Sequence, residues 1–227
     1  MNLGGAGIPT SMATSQLPLT GEEQSGAEAL IPERPTLSKL RSAVQECRAC
    51  PLWEGATQAV FGEGLKRSRL MLIGEQPGDR EDREGKPFVG PAGRVLDKAL
   101  DEAGIERGDA YVTNVVKHFK WKPRGKRRIH QTPRAEEIRA CAPWLEAEMH
   151  VIDAEVLVCL GATAVKAVIG PKHRVMKDHG RIVDSKLGRP ALATLHPSAI
   201  LRADDDDRAD AMAMLVGDLK AAKKKLG

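Results

Sequence analysis

Short apolar runs and stretches of helical periodicity take turns along this chain. Residues 69–73 (RLMLI) form an apolar run stopped by Gly74, which predicts a buried strand, and a loop punctuated by Gly and Pro follows until Gly93. Residues 92–103 then place Val95, Leu96, Ala99 and Leu100 at helical spacing, closed by Gly104. The run at 111–116 (YVTNVV) is a second strand, 156–160 a third and 191–195 a fourth. Helices are predicted over 37–50, ending in Cys-Arg-Ala-Cys, over 162–169, and from the acidic cluster at 204–207 into a Lys-rich end. Thr132-Pro133 fits an N-cap with Pro at the first helical position and opens a further helix to about residue 149.

Strands alternating with helices imply a parallel sheet, here of four strands, covered on both faces. In such sheets the functional loops lie beyond the carboxyl ends of the strands. That rule selects the loops beginning at Gly74, Lys117, Gly161 and His196. Residues 1–35 are rich in Gly, Ser, Pro and Thr, with neither a basic start nor a continuous apolar core. They read as a disordered leader ahead of one domain over 36–227.

A hydrophobic fraction of 41% is globular. No apolar stretch approaches the roughly 18 residues a membrane helix needs, so a soluble, cytoplasmic protein without a membrane partner is expected. The distribution of charge changes the picture more than its sum. Eight Lys or Arg and no acid lie between Lys117 and Arg134, and removing those eight from the net +4 leaves −4. A basic loop on an otherwise slightly acidic protein looks like a footprint for phosphates, its bland alternative being a solvated loop without a partner.

The four cysteines are Cys47, Cys50, Cys141 and Cys159. Without a secretion signal a disulfide framework is not expected, which leaves metal binding or burial as small apolar side chains. Cys47 and Cys50 form a C-x2-C pair, whereas Cys141 falls on a helix and Cys159 near a strand end. Zinc and a four-iron cluster both accept four thiolates, and spacing does not separate them.

Two loops carry candidate chemistry. After the first strand comes Gly74-Glu75-Gln76-Pro77-Gly78-Asp79 and then Gly85-Lys86-Pro87-Phe88-Val89-Gly90; its glycines permit close backbone approach to a ligand and its carboxylates can do proton work. After the last strand, His196-Pro197-Ser198 presents an imidazole on a rigid turn. Each alone has an ordinary structural explanation. Together with F-V-G-P-A-G, T-N-V-V-K, the four cysteines and H-P-S-A-I-L-R, they resemble the family 4 uracil-DNA glycosylases over roughly residues 37–220.

That resemblance implies a three-layer α/β/α sandwich, uracil-containing DNA as partner and a structural [4Fe-4S] cluster held by Cys47, Cys50, Cys141 and Cys159. It implies Phe88 stacking on uracil, Asn114 reading its edge and His196 donating to its oxygen, with Gly74, Gln76, Asp79 and Arg128 among the residues that hold the substrate. Gln76, where the family usually has a small residue, and the insertion Lys126-Arg127-Arg128-Ile129-His130 are similar to the UdgX subclass. There the loop histidine, here His130, bonds covalently to C1′ of the sugar, and Glu75 orients or deprotonates it. The expected behaviour is a single-turnover monomer that prefers single strands. Ile200 and Leu201 read equally as an apolar wedge or as helix-docking residues. The competing readings are a conventional family 4 hydrolase and a non-catalytic, metal-stabilised nucleic-acid binder.

Overall fold

In the computed structural model, which describes Met1 and residues 26–227, strand β1 (Leu70–Gly74) is buried along its whole length. Its side chains alternate between two separate cores, as period 2 requires of a strand covered on both faces. Met71 and Ile73 enter one core, and Leu70 and Leu72 the other.

The chain first forms α1 (Leu37–Ala43) and α2 (Leu52–Gly55). After β1 come α3 (Asp79–Glu84), α4 (Pro91–Glu102), β2 (Ala110–Asn114), and the strands β3 (Trp121–Arg124) and β4 (Arg127–His130). Then follow α5 (Ala135–Val151), β5 (Val156–Leu160), α6 (Ala162–Val168), α7 (Val175–Asp178), β6 (Val183–Asp184), β7 (Pro190–Thr194), α8 (Pro197–Arg202) and α9 (Asp205–Leu226). The main sheet runs β2-β1-β5-β7-β6. Its first four strands are parallel, as expected, and give a three-layer α/β/α arrangement. The first core includes Leu40 of α1, Trp144 of α5 and Val165 of α6; the second includes Leu96 of α4, Ile200 of α8 and Leu219 of α9.

Four sequence expectations change. The sheet has a fifth strand, β6, antiparallel to β7 and only two residues long, too short to carry a periodic signal. The basic loop is a β3–β4 hairpin, whose strands Trp-Lys-Pro-Arg and Arg-Arg-Ile-His lack an apolar alternation. Gly125 makes its two-residue turn at φ 58°. Helix α5 begins at Ala135 and not at Pro133: Gln131 is still hydrogen-bonded to Lys120 at 2.9 Å, and Glu137 accepts the Arg134 amide at 2.6 Å. The helix expected over 37–50 becomes 3-10 at Val44–Glu46 and ends before Cys47.

Of the segment read as a leader, residues 2–25 lie outside the described residues. Ala27 is fully buried, and its amide donates to the Ala140 carbonyl at 3.0 Å. Among the described residues no helix is long and apolar enough to cross a membrane.

Candidate functional site

The carboxyl ends of the four parallel strands bring Gly74, Asn114, Gly161 and His196 to one edge of the sheet. Gly74 pairs with Asn114 in register. A Cβ on Gly74 would overlap Asn114 Oδ1 and stand 2.7 Å from Phe88 Cζ, so this glycine lets an aromatic ring and an amide share one small space. Phe88 is held at φ 55°, the one positive φ outside glycine among the described residues. Such a conformation costs about 1–3 kcal/mol and persists where surrounding structure enforces it. Gly93 leaves room for it, because any Cβ there would overlap the Phe88 carbonyl. Asn114 is 2% exposed, and its Oδ1 has no hydrogen-bond partner. A buried acceptor left unpaired costs about 1–3 kcal/mol, which a bound N–H donor would recover.

His196 faces Phe88 across a ring-centroid distance of 6.0 Å. The backbone N–H of Ser198 donates to His196 Nδ1 at 3.1 Å, so Nδ1 is an acceptor and the neutral ring carries its proton on Nε2. Burial, with Arg202 and His130 adding to it, pushes the His196 pKa down to about 4. At neutral pH the ring is therefore an uncharged N–H donor. Gly161, at φ 87°, leaves the imidazole its room: a Cβ there would come within 2.9 Å of His196 Cβ.

Across the edge, His130 ends β4 and points Nε2 at Glu75 Oε1, 3.3 Å away. Glu75 Oε2 accepts the Thr163 hydroxyl from the first turn of α6. Burial lowers the His130 pKa below its ordinary 6.5; Glu75 opposes the shift and Arg202 adds to it. The Phe119 ring lies 6.2 Å from the imidazole. Neither Thr163 nor Phe119 stands out in the sequence. A hydroxyl after Gly-Ala and a buried Phe in a basic run give no pattern beyond Gly161 marking the loop.

Three residues expected to hold the substrate make their contacts in this structure with the hairpin and its neighbours. Gln76 is buried, donating Nε2 to the carbonyls of Lys120 at 3.2 Å and Gln131 at 3.0 Å and accepting the Lys120 amide at 3.0 Å. Arg128 turns inward to Asp79, reaches Asp82 at 2.6 Å, and lies 5.4 Å from the rings of Phe119 and Trp121. Desolvation would raise the Asp79 pKa, but hydrogen bonds from Arg128 and Arg83 hold it below its ordinary value. The hairpin is pinned again where Trp121 Nε1 donates to the Gly55 carbonyl at 2.6 Å.

The basic footprint shrinks accordingly. Lys117 is wholly buried, bonding Glu148 at 2.6 Å and the Asn114 carbonyl at 2.8 Å, and Lys120 pairs with Glu137 at 2.8 Å. Lys122, Arg124, Lys126, Arg127 and Arg134 remain exposed. Ile200 is core, whereas Leu201 is exposed on the same short helix that follows His196, so of the two only Leu201 has a side chain free to act as a wedge.

All four cysteines are free thiols on the face of the sheet that carries α1, α5 and α6. Trp144 Nε1 donates to Cys47 Sγ and the Lys117 amide to Cys141 Sγ, both at 3.2 Å, bonds that favour a thiolate. Burial drives the Cys141 thiol up to about 12, with Cys47 and Cys50 near enough to add to the rise. Among the described residues no three His, Cys, Asp or Glu side chains close on a single point as one metal ion requires. A tetrahedral zinc would need the sulfurs about 3.8 Å apart, each about 2.3 Å from the ion. A four-iron cluster places each thiolate on a different iron and accepts a wider set. Four thiols, two of them accepting N–H donors, are a donor set that a four-iron cluster takes.

Comparison with known proteins gives this site its relatives. The Uracil DNA glycosylase superfamily profile matches residues 61–220. A Type-4 uracil-DNA glycosylase of Thermotoga maritima is 42% identical over 160 residues, covering 70% of this chain and 80% of that protein. One from Pyrobaculum aerophilum is 36% identical over 175 residues, 73% of this chain and 85% of that protein. A Type-5 uracil-DNA glycosylase of Thermus thermophilus is 32% identical over 170 residues, 66% and 73% respectively.

Proposed function

The chain belongs to the uracil DNA glycosylase superfamily, and from that premise we propose that it excises uracil from DNA and then captures the sugar on His130. The observation that carries the excision step is the unpaired, buried Oδ1 of Asn114 beside Phe88. An amide can accept the uracil N3–H and donate to a ring carbonyl, while Phe88 covers the base. The base must leave its stack to arrive there. His196, a neutral Nε2–H donor, stabilises the negative charge that develops on the departing base.

Bond cleavage leaves positive charge at C1′. In the capture step the base leaves with the electrons of the glycosidic bond, the lone pair of the neutral His130 ring forms the N–C1′ bond, and the Glu75 carboxylate, 3.3 Å from Nε2, takes the ring's remaining N–H proton, so a neutral imidazole stays on the sugar. Thr163 fixes that carboxylate from its other oxygen. An imidazole bound to the sugar has no protonated leaving group, so turnover stops after one event. A second reading, hydrolysis with release, is favoured by the same Glu75, because a carboxylate at this place can activate water instead.

Cys47, Cys50, Cys141 and Cys159 hold a [4Fe-4S] cluster in this proposal. Its contribution is structural, tying the N-terminal segment to α5 and β5. Iron and sulfide analysis with a visible absorption band checks it; colourless protein with stoichiometric zinc would refute it.

The functional test is incubation with uracil-containing single- and double-stranded DNA followed by a denaturing gel. A shifted band supports capture, and free abasic product supports hydrolysis and refutes capture. Unchanged DNA refutes both.

A further inference from the structure

Most cations close to Asn114 and His130 are already engaged by carboxylates. Lys117 bonds Glu148 at 2.6 Å, Lys120 bonds Glu137 at 2.8 Å, and Arg128 bonds Asp82 at 2.6 Å. Arg202, the last residue of α8, differs from them. It is exposed and has no carboxylate within ion-pair distance among the described residues. Of the acids that follow it, Asp205 pairs with Arg208 at 2.8 Å.

What holds Arg202 is a hydroxyl. Its Nη1 donates to Ser198 Oγ at 3.1 Å across one turn of α8, and that oxygen lies 2.8 Å from His196 Nδ1. A guanidinium carries five N–H donors in a rigid fork, so one such bond leaves the others free. The cation also stands beside both imidazoles, since its charge adds to the lowering of the His196 and His130 pKa values. His130 bears on His196 in turn, which makes the three groups mutual neighbours.

In the function proposed above, the sugar of the uracil nucleotide lies among these three. His196 meets the base and His130 reaches C1′, so the phosphates on either side of this nucleotide are the nearest anions that the strand brings. We propose that Arg202 is a phosphate-binding residue that grips one of the two phosphates flanking the uracil nucleotide. The inference rests on the reading of this chain as a uracil-DNA enzyme. Paired N–H···O bonds from the guanidinium fork suit a phosphate, and Ser198 fixes one corner of the fork before the strand arrives. Electrostatics points the same way. An unpaired cation beside C1′ would oppose the positive charge that grows there, and a phosphate on Arg202 cancels that opposition.

The test uses single strands with a central 2′-fluoro-2′-deoxyuridine, whose fluorine disfavours positive charge at C1′ and keeps the base attached, so that affinity is read at equilibrium. In each strand of a series, one phosphate is replaced by a neutral methylphosphonate. Arg202 is exposed, so its replacement leaves both cores intact. On the fully charged strand Arg202→Gln should weaken binding about tenfold to a hundredfold and reduce the log–log salt slope by about 0.7, whereas Arg202→Lys should keep the slope and recover part of the affinity. One neutral linkage beside the uracil should cost the unaltered protein a similar factor and cost Arg202→Gln nothing more; neutral linkages elsewhere should weaken both proteins alike. Additive losses at every linkage, or full affinity in Arg202→Gln, overturn the proposal. If the linkage-specific loss appears while the unaltered protein leaves a plain uracil strand intact, the phosphate site stands and the function proposed above falls.

Discussion

Replacing His130 by Ser separates two steps that the proposed mechanism runs in series. The side chain is 49% exposed and belongs to neither hydrophobic cluster, so its removal opens no cavity; stability should change by no more than about 0.5 kcal/mol. The pocket proposed for the base is lined by Gly74, Phe88, Asn114 and His196, none of which the substitution replaces. Excision should hold within about tenfold, or about 1.4 kcal/mol of barrier. The adduct should disappear, because a neutral serine hydroxyl is a weak nucleophile, and water should take the vacated space and release an abasic product. The pH profile carries the sharper signature. Because burial holds His130 below its ordinary 6.5, its ring is neutral at pH 7. Capture by the unaltered protein should stay level at and above that pH, then fall about tenfold for each unit below the His130 pKa. In the variant that limb should vanish, leaving excision level until pH nears about 4, where His196 protonates against the Ser198 amide. A single-turnover quench with an end-labelled uracil strand reads both products, the adduct on a denaturing gel and the abasic site after alkali. An adduct in the variant means another nucleophile, and excision reduced about a thousandfold (about 4 kcal/mol) means His130 takes part in breaking the bond.

Asn114→Asp replaces an amide N–H donor by an acceptor in the buried pocket and should slow excision by about 1–3 kcal/mol while DNA binding measured with thymine strands persists; unchanged excision would remove Asn114 from the base site. Thr163→Val deletes a charge-assisted hydrogen bond to Glu75, worth about 1.5–3 kcal/mol, so adduct formation should slow by about tenfold or more, with Thr163→Ser restoring it. If Val performs like Thr, Glu75 needs no positioning. His118 is buried, and desolvation, opposed by Asp82, pushes its pKa down to about 4. The unfolded chain binds that proton more readily, so this group's stability is present above about pH 6.5 and is lost as pH falls toward about 4, by at most about 3 kcal/mol. Urea midpoints across that window should fall with pH and fall less in His118→Gln; a flat midpoint in the unaltered protein would show that the buried ring is protonated without cost.

The parallel strands were legible because burial on both faces makes each a short continuous apolar run, and the rule of carboxyl-end loops then selected the loops beginning at Gly74, Lys117, Gly161 and His196 without coordinates, whereas Asn114 came only from the family resemblance. The hairpin was not legible as structure. Its residues are polar because it is held by side chains outside it, Gln76 and Asp82, and by the carbonyl of Gly55, not by an apolar face. For the same reason Lys117 and Arg128 looked like phosphate ligands: a one-dimensional charge count does not contain Glu148, which lies 31 residues from Lys117, or Asp82, which lies 46 from Arg128. Thr163 is a further case, since its partner Glu75 is 88 residues away.

Gln76 grips the hairpin through main-chain atoms alone, two carbonyls and one amide, at Lys120 and Gln131. It is a socket that recognises a shape and is indifferent to the side chains plugged into it. Between those two positions only Trp121 and Arg128 hydrogen-bond the body through their own side chains, so the remaining positions are an interchangeable part that can be redrawn while the ends present the same backbone and those two anchors stay. The transferable unit is the hairpin together with Gln76, Asp79 and Asp82. Grafted onto a relative with a small residue in that position, the hairpin alone would arrive without its seat, and His130 would have no fixed address.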